Sequence, residues 1–373
     1  MTLNKRLLII TLLYCVIPFI AAAQCSNAVF KRCDLLFAGD IMQHSLQLES
    51  ARLKDGTYSY SSYYKNISPA VKEAGIAVAN LETPIGENRY GGYPSFCAPD
   101  SFVHAIKEAG FDVLLFANNH CLDRGKKGVV HTLDLLDSLG IAHCGVYRDH
   151  HEREKRYPLI VENGGIRIAL LNYTYGTNGI KVPVPVVVNF IDKEIIAADI
   201  HKAKSMHADA IIACMHWGTE YSSIPQREIV ELSEWLIEEG VDHIIGNHPH
   251  VIQPIEIREE VETPDRHAVV YSTGNLVSNM SMRGTDGGII VKMELKKTLF
   301  YTRLSSLRYL LTWIAPKDND GRRDFTIQPA RNMSPENSHA AHKLKTFLED
   351  TERLFGKQNK GDVTEFTIEE TGL

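Results

Sequence analysis

Short apolar runs rich in β-branched residues recur along this chain, and most stop at a polar or titratable residue. The first spans residues 34–38 (DLLFA) and stops at Gly39-Asp40. The next span 76–79, ending at Asn80-Leu81-Glu82, and 113–117, ending at Asn118-Asn119-His120. Later runs span 210–215 before His216, 241–245 shortly before His248 and His250, and 268–272 shortly before Asn275. Runs of this length bounded by turn residues predict buried strands. Between them, apolar residues at helical spacing predict helices over 45–54, 63–74 with Pro69 interrupting or restarting it, 101–109, 128–139, 192–206, 224–239 and 335–354. Asp100 is read as the N-cap of the 101–109 helix, with Gly110 as its stop. A Gly-Gly turn at 164–165 predicts a hairpin, 141–145 a short strand, and 287–295 with 300–314 an antiparallel pair. Residues 183–189 read as an exposed strand or a loop, 83–99 as a long irregular stretch, and 317–323 as a connector. The alternation of strands and helices, with hairpins gathered in the second half, predicts an α/β fold. Two packed mixed β-sheets flanked by helices would make a four-layer sandwich.

The N-terminus breaks this pattern. Lys5 and Arg6 precede an apolar run over 7–20 and then Ala21-Ala22-Ala23, the layout of a secretory signal cut after Ala23. The expectation is an exported protein, periplasmic or associated with the cell envelope. A lipid anchor at Cys25 and an uncleaved membrane anchor are the alternatives. With Cys15 in the leader, six of seven cysteines remain, and export would permit disulfides. No CxxC occurs, and Cys144 and Cys214 sit beside apolar runs, the setting of buried thiols. The net charge of −6 carries no basic stripe, so nucleic acid is not an expected partner.

The chemistry collects after the strands. Asp40, Glu82, Asn119 with His120, His216, and His248 with His250 place carboxylate, amide and imidazole groups on separate strand ends. Borderline divalent metals such as Zn, Mn and Fe favour this mixed oxygen and nitrogen set. The carboxyl edge of a sheet is where α/β proteins build their sites.

GDIM at 39–42, NLE at 80–82, NNHCLDRG at 118–125, MHWGTEY at 215–221, GNHPHVIQ at 246–253 and YSTGN at 271–275 together resemble the CapA family of capsule and poly-γ-glutamate synthesis proteins. That family looks like a divergent branch of the calcineurin-like metallophosphoesterase fold. The resemblance implies a main domain over 33–295 and a C-terminal extension over 296–373 with a strand, a helix and a polar tail. It implies one or two divalent metal ions. Asp40 and His250 would serve the first, Asn119, His216 and His248 the second, and Glu82 would bridge, with His120 as the acid. Two positions depart from the pattern. Met42 stands where D-x-H expects a histidine, and Glu82 stands where the bridging Asp is expected. His44 is a candidate substitute. Asp123 and Glu220 are read as compensating carboxylates or as groups that orient a ligand histidine. Arg124 is read as meeting an anionic substrate or as a structural brace, and Asn275 as contacting substrate or closing a turn.

The implied function is a metal-dependent hydrolase or transferase acting on polymer, phosphoester or acyl bonds. The alternatives are a non-catalytic polymer-binding or export component and a phosphodiesterase of small substrates. The implied partners are an anionic polymer or small-molecule substrate and membrane proteins of capsule synthesis.

Overall fold

Leu35, Leu36, Phe37 and Ala38 are all apolar because their strand has a core on both faces. Leu35 and Phe37 join one buried cluster, and Leu36 and Ala38 join another. Successive strand residues point to opposite faces, so one continuous apolar run serves both cores. In a computed structural model, which describes residues 30–259, 265–318, 321, 323–335 and 337–368, this strand lies inside the larger of two mixed sheets.

In chain order the strands are β1 (Lys31–Ile41), β2 (Ile76–Leu81), β3 (Val113–Leu115), β4 (Ala142–Cys144), β5 (Val146–Tyr147), β6 (Leu159–Asn163), β7 (Ile166–Thr174), β8 (Val187–Val188), β9 (Ala210–His216), β10 (His243–Asn247), β11 (Ile255–Glu259), β12 (Arg266–Val270), β13 (Asn275–Val277), β14 (Gly287–Lys297), β15 (Thr302–Trp313), β16 (Gln328–Pro329) and β17 (Val363–Glu365). The helices are α1 (Ser45–Ala51), α2 (Ser68–Glu73), α3 (Asp100–Ala109), α4 (Gly125–Ser138), α5 (His150–Arg156), α6 (Lys193–Ser205), α7 (Arg227–Glu239) and α8 (Ser338–Gln358). The first sheet runs β16-β15-β14-β1-β2-β3-β4, with β13 beside the end of β1 and β17 beside β15. The second runs β11-β12-β10-β9-β7-β6.

The two sheets share one core. Phe37, Val78 and Leu115 of the first meet Ile168, Ile212 and Ile244 of the second, and Ile196, Ile200 and Leu236 bring α6 and α7 into the same cluster. The opposite face of the first sheet, with Ala77, Ala79 and Leu114, is covered by Phe102 and Ile106 of α3 and Leu133 and Leu136 of α4. This is the expected sandwich of two mixed sheets flanked by helices. Each large apolar side chain withdrawn from water contributes roughly 1.5–3 kcal/mol.

Several boundaries differ from the sequence reading. The first strand extends well beyond 34–38, because β14 pairs with its start and β13 with its end. Helix α1 stops at Ala51, where the amide of Leu53 turns back to the carbonyl of Thr57. The expected 63–74 helix shrinks to Ser68–Glu73, with Pro69 in the first turn, where a missing N–H leaves no bond unmade. Pro99, not Asp100, occupies the N-cap of α3, and Asp100 pairs instead with Nε2 of His131 at 2.7 Å. The strand expected at 141–145 is split into β4 and β5 by Gly145, whose φ is +101°. The 164–165 hairpin forms as expected, with both glycines at positive φ. Residue 295 falls inside β14, which pairs with β15, and Ala340, Leu344 and Phe347 of α8 join the core between the sheets. The polar tail holds β17, parallel to β15.

Cys33, Cys97, Cys121, Cys144 and Cys214 are buried free thiols, as expected for Cys144 and Cys214, and none of the five forms the disulfide that export would permit. The expected leader over 1–23 and Cys25 lie outside the described residues. Among the described residues no helix is long and apolar enough to cross a membrane.

Candidate metal centre

The carboxyl ends of strands from both sheets converge. Asp40 lies near the end of β1, opposite Asn80 of β2 and Asn275 of β13. Glu82 follows β2 directly, its amide bonded to the carbonyl of Ile41 at 3.0 Å. His216 ends β9 opposite Asn247 of β10, and His248 comes next in the chain.

Two glycines make this convergence possible. A Cβ on Gly39 would lie 2.0 Å from the carbonyl oxygen of Gly274, so only glycine lets the 273–276 segment press against β1 beside Asp40. A Cβ on Gly246 would lie 2.0 Å from the carbonyl oxygen of Tyr271 and 2.6 Å from Nε1 of Trp217. The backbone at His248 and His250 has φ of +99° and +58°, around Pro249. Non-glycine residues held in such conformations concentrate at functional sites.

The donor atoms form overlapping sets. Ligand atoms of Glu82, His216 and His248 lie within 4.8 Å of one another, as do those of Asp40, Glu82 and His250, and those of Glu220, His248 and His250. Glu82 is common to the first two, the place expected of a bridge. Oδ1 of Asn119 lies 2.8 Å from Nε2 of His216, which brings the amide to the His216 side. His250 is held at Nδ1 by Oδ1 of Asn275 at 3.0 Å and by Asp40 at 3.1 Å, so its Nε2 is left facing Glu82 at 3.8 Å. The Asn275 amide also donates to the carbonyls of His250 and Thr285.

Asp40 and Glu82 are both fully buried yet differ in chemistry. Burial raises the Asp40 carboxyl, but the hydrogen bond from His250, the charges of His250 and His216 and the amide of Asn80 outweigh it and hold the group down at about 2. Burial and the neighbouring Asp40 charge push Glu82 well above the ordinary carboxylate range. Neither Glu82 oxygen has a hydrogen-bond partner, and neither does Nδ1 of His248. Burial lowers His216 to about 3 and His248 to about 2, so both imidazoles present lone pairs at neutral pH.

The acid candidate has its own support. Nδ1–H of His120 donates to Asp123 at 2.8 Å, and the same carboxylate accepts the amide of Phe96 at 2.7 Å. Asp123 thus orients His120, and among the described residues it joins no ligand set. Arg124 donates to the carbonyls of Ser95 and Arg89, which makes it a brace of the 83–99 loop. His44 does not replace the missing imidazole. It joins no ligand set among the described residues, its Nδ1 accepts the amide of Asn279, and burial lowers it to about 4. Phe96 packs edge-on against both His44 and His120, so this loop aromatic is a wall of the site. Tyr93 is 75% exposed.

Four residues escaped the sequence reading. Asn80 donates to Asp40 at 2.8 Å, and Asn118 donates to the carbonyl of Leu81 beside Glu82. Tyr175 lies 4.5 Å from the His248 ring between centroids. Asn178, at φ +51°, accepts from the Asn119 amide at 3.2 Å. Asn80 and Asn118 sit in the motifs already singled out, and their position after buried strands was the available signal. Tyr175 and Asn178 arrive from a loop after β7 that carries no such mark.

Comparison with known proteins agrees on the family. The capsule biosynthesis protein CapA of Bacillus anthracis is 26% identical over 290 residues, covering 74% of this chain and 67% of that one. The PGA biosynthesis protein CapA of Bacillus subtilis is 28% identical over 275 residues, covering 70% and 67%. Among solved structures, the NAD nucleotidase of Haemophilus influenzae matches with a TM-score of 0.45 and 12% identity, over 92% of this chain and 59% of that one. A calcineurin-like phosphoesterase of Bacillus subtilis matches at 0.43 and 13%, over 86% and 98%. The family model described as bacterial capsule synthesis protein PGA_cap matches residues 34–280, and the chain belongs to that family.

Proposed function

We propose that this chain is an exported, metal-dependent hydrolase or transferase that acts on the glutamate polymer of capsule synthesis. One observation carries the reading. Glu82 is a buried carboxylate with two unpartnered oxygens, set among Asp40, His216, His248 and His250. A buried carboxylate without hydrogen-bond partners costs several kcal/mol, and such groups are retained where they neighbour charges or coordinate a metal. The donor set fits a divalent cation of the Mn, Zn or Fe type, with Asn119, His216 and His248 on one side, Asp40 and His250 on the other, and Glu82 shared. When bound, such a cation supplies Lewis-acid polarisation of a phosphoryl or acyl oxygen.

The protein groups do the rest. Asn275 fixes the His250 tautomer, and Asn80 and the backbone amide of His248 hold Asp40. Asp123 holds Nδ1–H of His120, so Nε2 of the imidazolium form is the atom that passes a proton to a leaving group and is left as the neutral ring. Tyr175 and Tyr221, 47% and 41% exposed, flank the cluster at its mouth and give a polymer two faces to lie on. A second reading, a polymer-binding component without turnover, is favoured by Met42 in place of a ligand histidine and by His44 being engaged elsewhere.

Metal analysis of purified protein separates the readings. At least one equivalent of divalent metal, lost together with polymer cleavage or transfer in His216→Ala and His248→Ala, supports the enzyme. Metal-free protein whose variants behave as wild type removes it. Export is tested by the mass of the mature chain, expected to begin after Ala23.

A further inference from the structure

A cavity lies beside the candidate metal centre. It has a volume of about 480 Å³ and runs between the Tyr221–Ile224 loop, Val251-Ile252, Arg283-Gly284 and the last turns of α8. It begins where the site ends. Tyr221 stands 6.2 Å from the His250 ring, and Val251 is the next residue in the chain. The floor is apolar, with Ile224, Val251, Phe347 and Leu354. The rim is cationic. Arg283, Arg353 and Lys357 line it with one carboxylate, Asp350, which pairs with Arg283 at 2.6 Å and reaches Arg353 at 3.4 Å. Three cations against one acid is a local excess of positive charge on a chain whose total is −6. Helix α8 lies wholly beyond the family-matched residues 34–280, so this wall is supplied from outside the matched region.

We infer that this groove is an extended subsite for a carboxylate-bearing oligomer of the oligoglutamate class, reached from the metal centre across Tyr221. The occupant's methylene segments lie on the apolar floor. Its carboxylates meet Arg353 and Lys357, whose side chains are exposed and whose charges Asp350 only partly offsets. The volume suits a short stretch of chain rather than a single small anion. Specificity then comes from charge placed along a line, with Arg283 held at one end by its two bonds to Asp350. The inference rests on the polymer reading above but not on metal chemistry, so binding is tested with metal removed.

The test is fluorescence anisotropy of a labelled oligo-γ-glutamate with the full chain in chelator. Wild type is expected to bind, with affinity falling as salt rises. An Arg353→Glu/Lys357→Glu variant is expected to lose roughly tenfold or more in affinity at an unchanged melting temperature. An Arg353→Lys/Lys357→Arg variant is expected to retain it. Because binding is read in chelator and not as turnover, failure of the enzyme reading leaves this result standing. Equal binding by the charge-reversed variant overturns the subsite. Equal competition by polyphosphate or polygalacturonate overturns the assignment to glutamate chains.

Discussion

Glu82→Gln tests the metal reading most directly, because it swaps a carboxylate for an isosteric neutral group. In the metal-free protein both Glu82 oxygens are buried without partners, and burial together with Asp40 opposes ionisation. The folded state then meets the cost of keeping the group neutral. An unfolded glutamate titrates near 4.3, so neutrality at pH 7 costs at most about 3–4 kcal/mol. Glutamine still buries a polar amide, so the expected net gain in chelator is about 1–3 kcal/mol. Metal reverses the order. A ligand at one hundred times its dissociation constant stabilises the native state by about 2.7 kcal/mol, and the wild-type carboxylate is the better ligand. The assay is denaturant unfolding of both proteins in chelator and in excess Mn or Zn. Glu82→Gln is expected to be the more stable without metal and to gain the less from it. A variant less stable than wild type in chelator, or one that gains equally from metal, refutes the reasoning.

Asn275→Ala removes the acceptor that holds Nδ1 of His250, and metal affinity measured by competition with a chelating dye is expected to fall roughly 10–100-fold. Gly246→Ala is expected to cost about 3 kcal/mol or more in chemical denaturation, because its Cβ would overlap backbone at 2.0 Å with no flexible group to yield. Asp137 gives a pH signature away from the site. Burial opposes its ionisation but is outweighed by Arg156, Arg148 and His143, which hold the carboxyl well below its ordinary value. A folded-state value below the unfolded one stabilises above the unfolded range near pH 4 and loses that contribution as pH falls. Because Asp137 is largely solvated, Asp137→Asn is expected to cost about 1 kcal/mol at pH 7, with the difference from wild type shrinking below pH 4 in denaturation midpoints.

The strands that carry the site were legible because their runs are buried on both faces and end in polar residues. That signal located Asp40, Glu82, Asn119 and His216 one by one. Boundaries were less legible, since they depend on partners distant in sequence. Lys31 belongs to β1 because Lys297 lies opposite, more than 260 residues away. Asp100 has the composition of an N-cap, yet His131 claims its carboxylate and Pro99 takes the cap. His44 illustrates the limit of counting along the chain. It lies near Asp40 in sequence, but helix α1 and the Asn279 amide turn it to other work.

By itself, the sequence determined the alternation of buried strands and helices, the residues that close each strand, and the family those motifs belong to. Burial pattern and turn chemistry are local properties, and the chain writes them in order. Only the tertiary structure decided which ends meet. The stacking of two sheets, and close approaches allowed at Gly39 and Gly246, bring six strand ends to one place. That packing gives Asn275 to His250, Asp123 to His120 and an orphaned carboxylate to Glu82, because each of these relations joins side chains through space rather than along the chain.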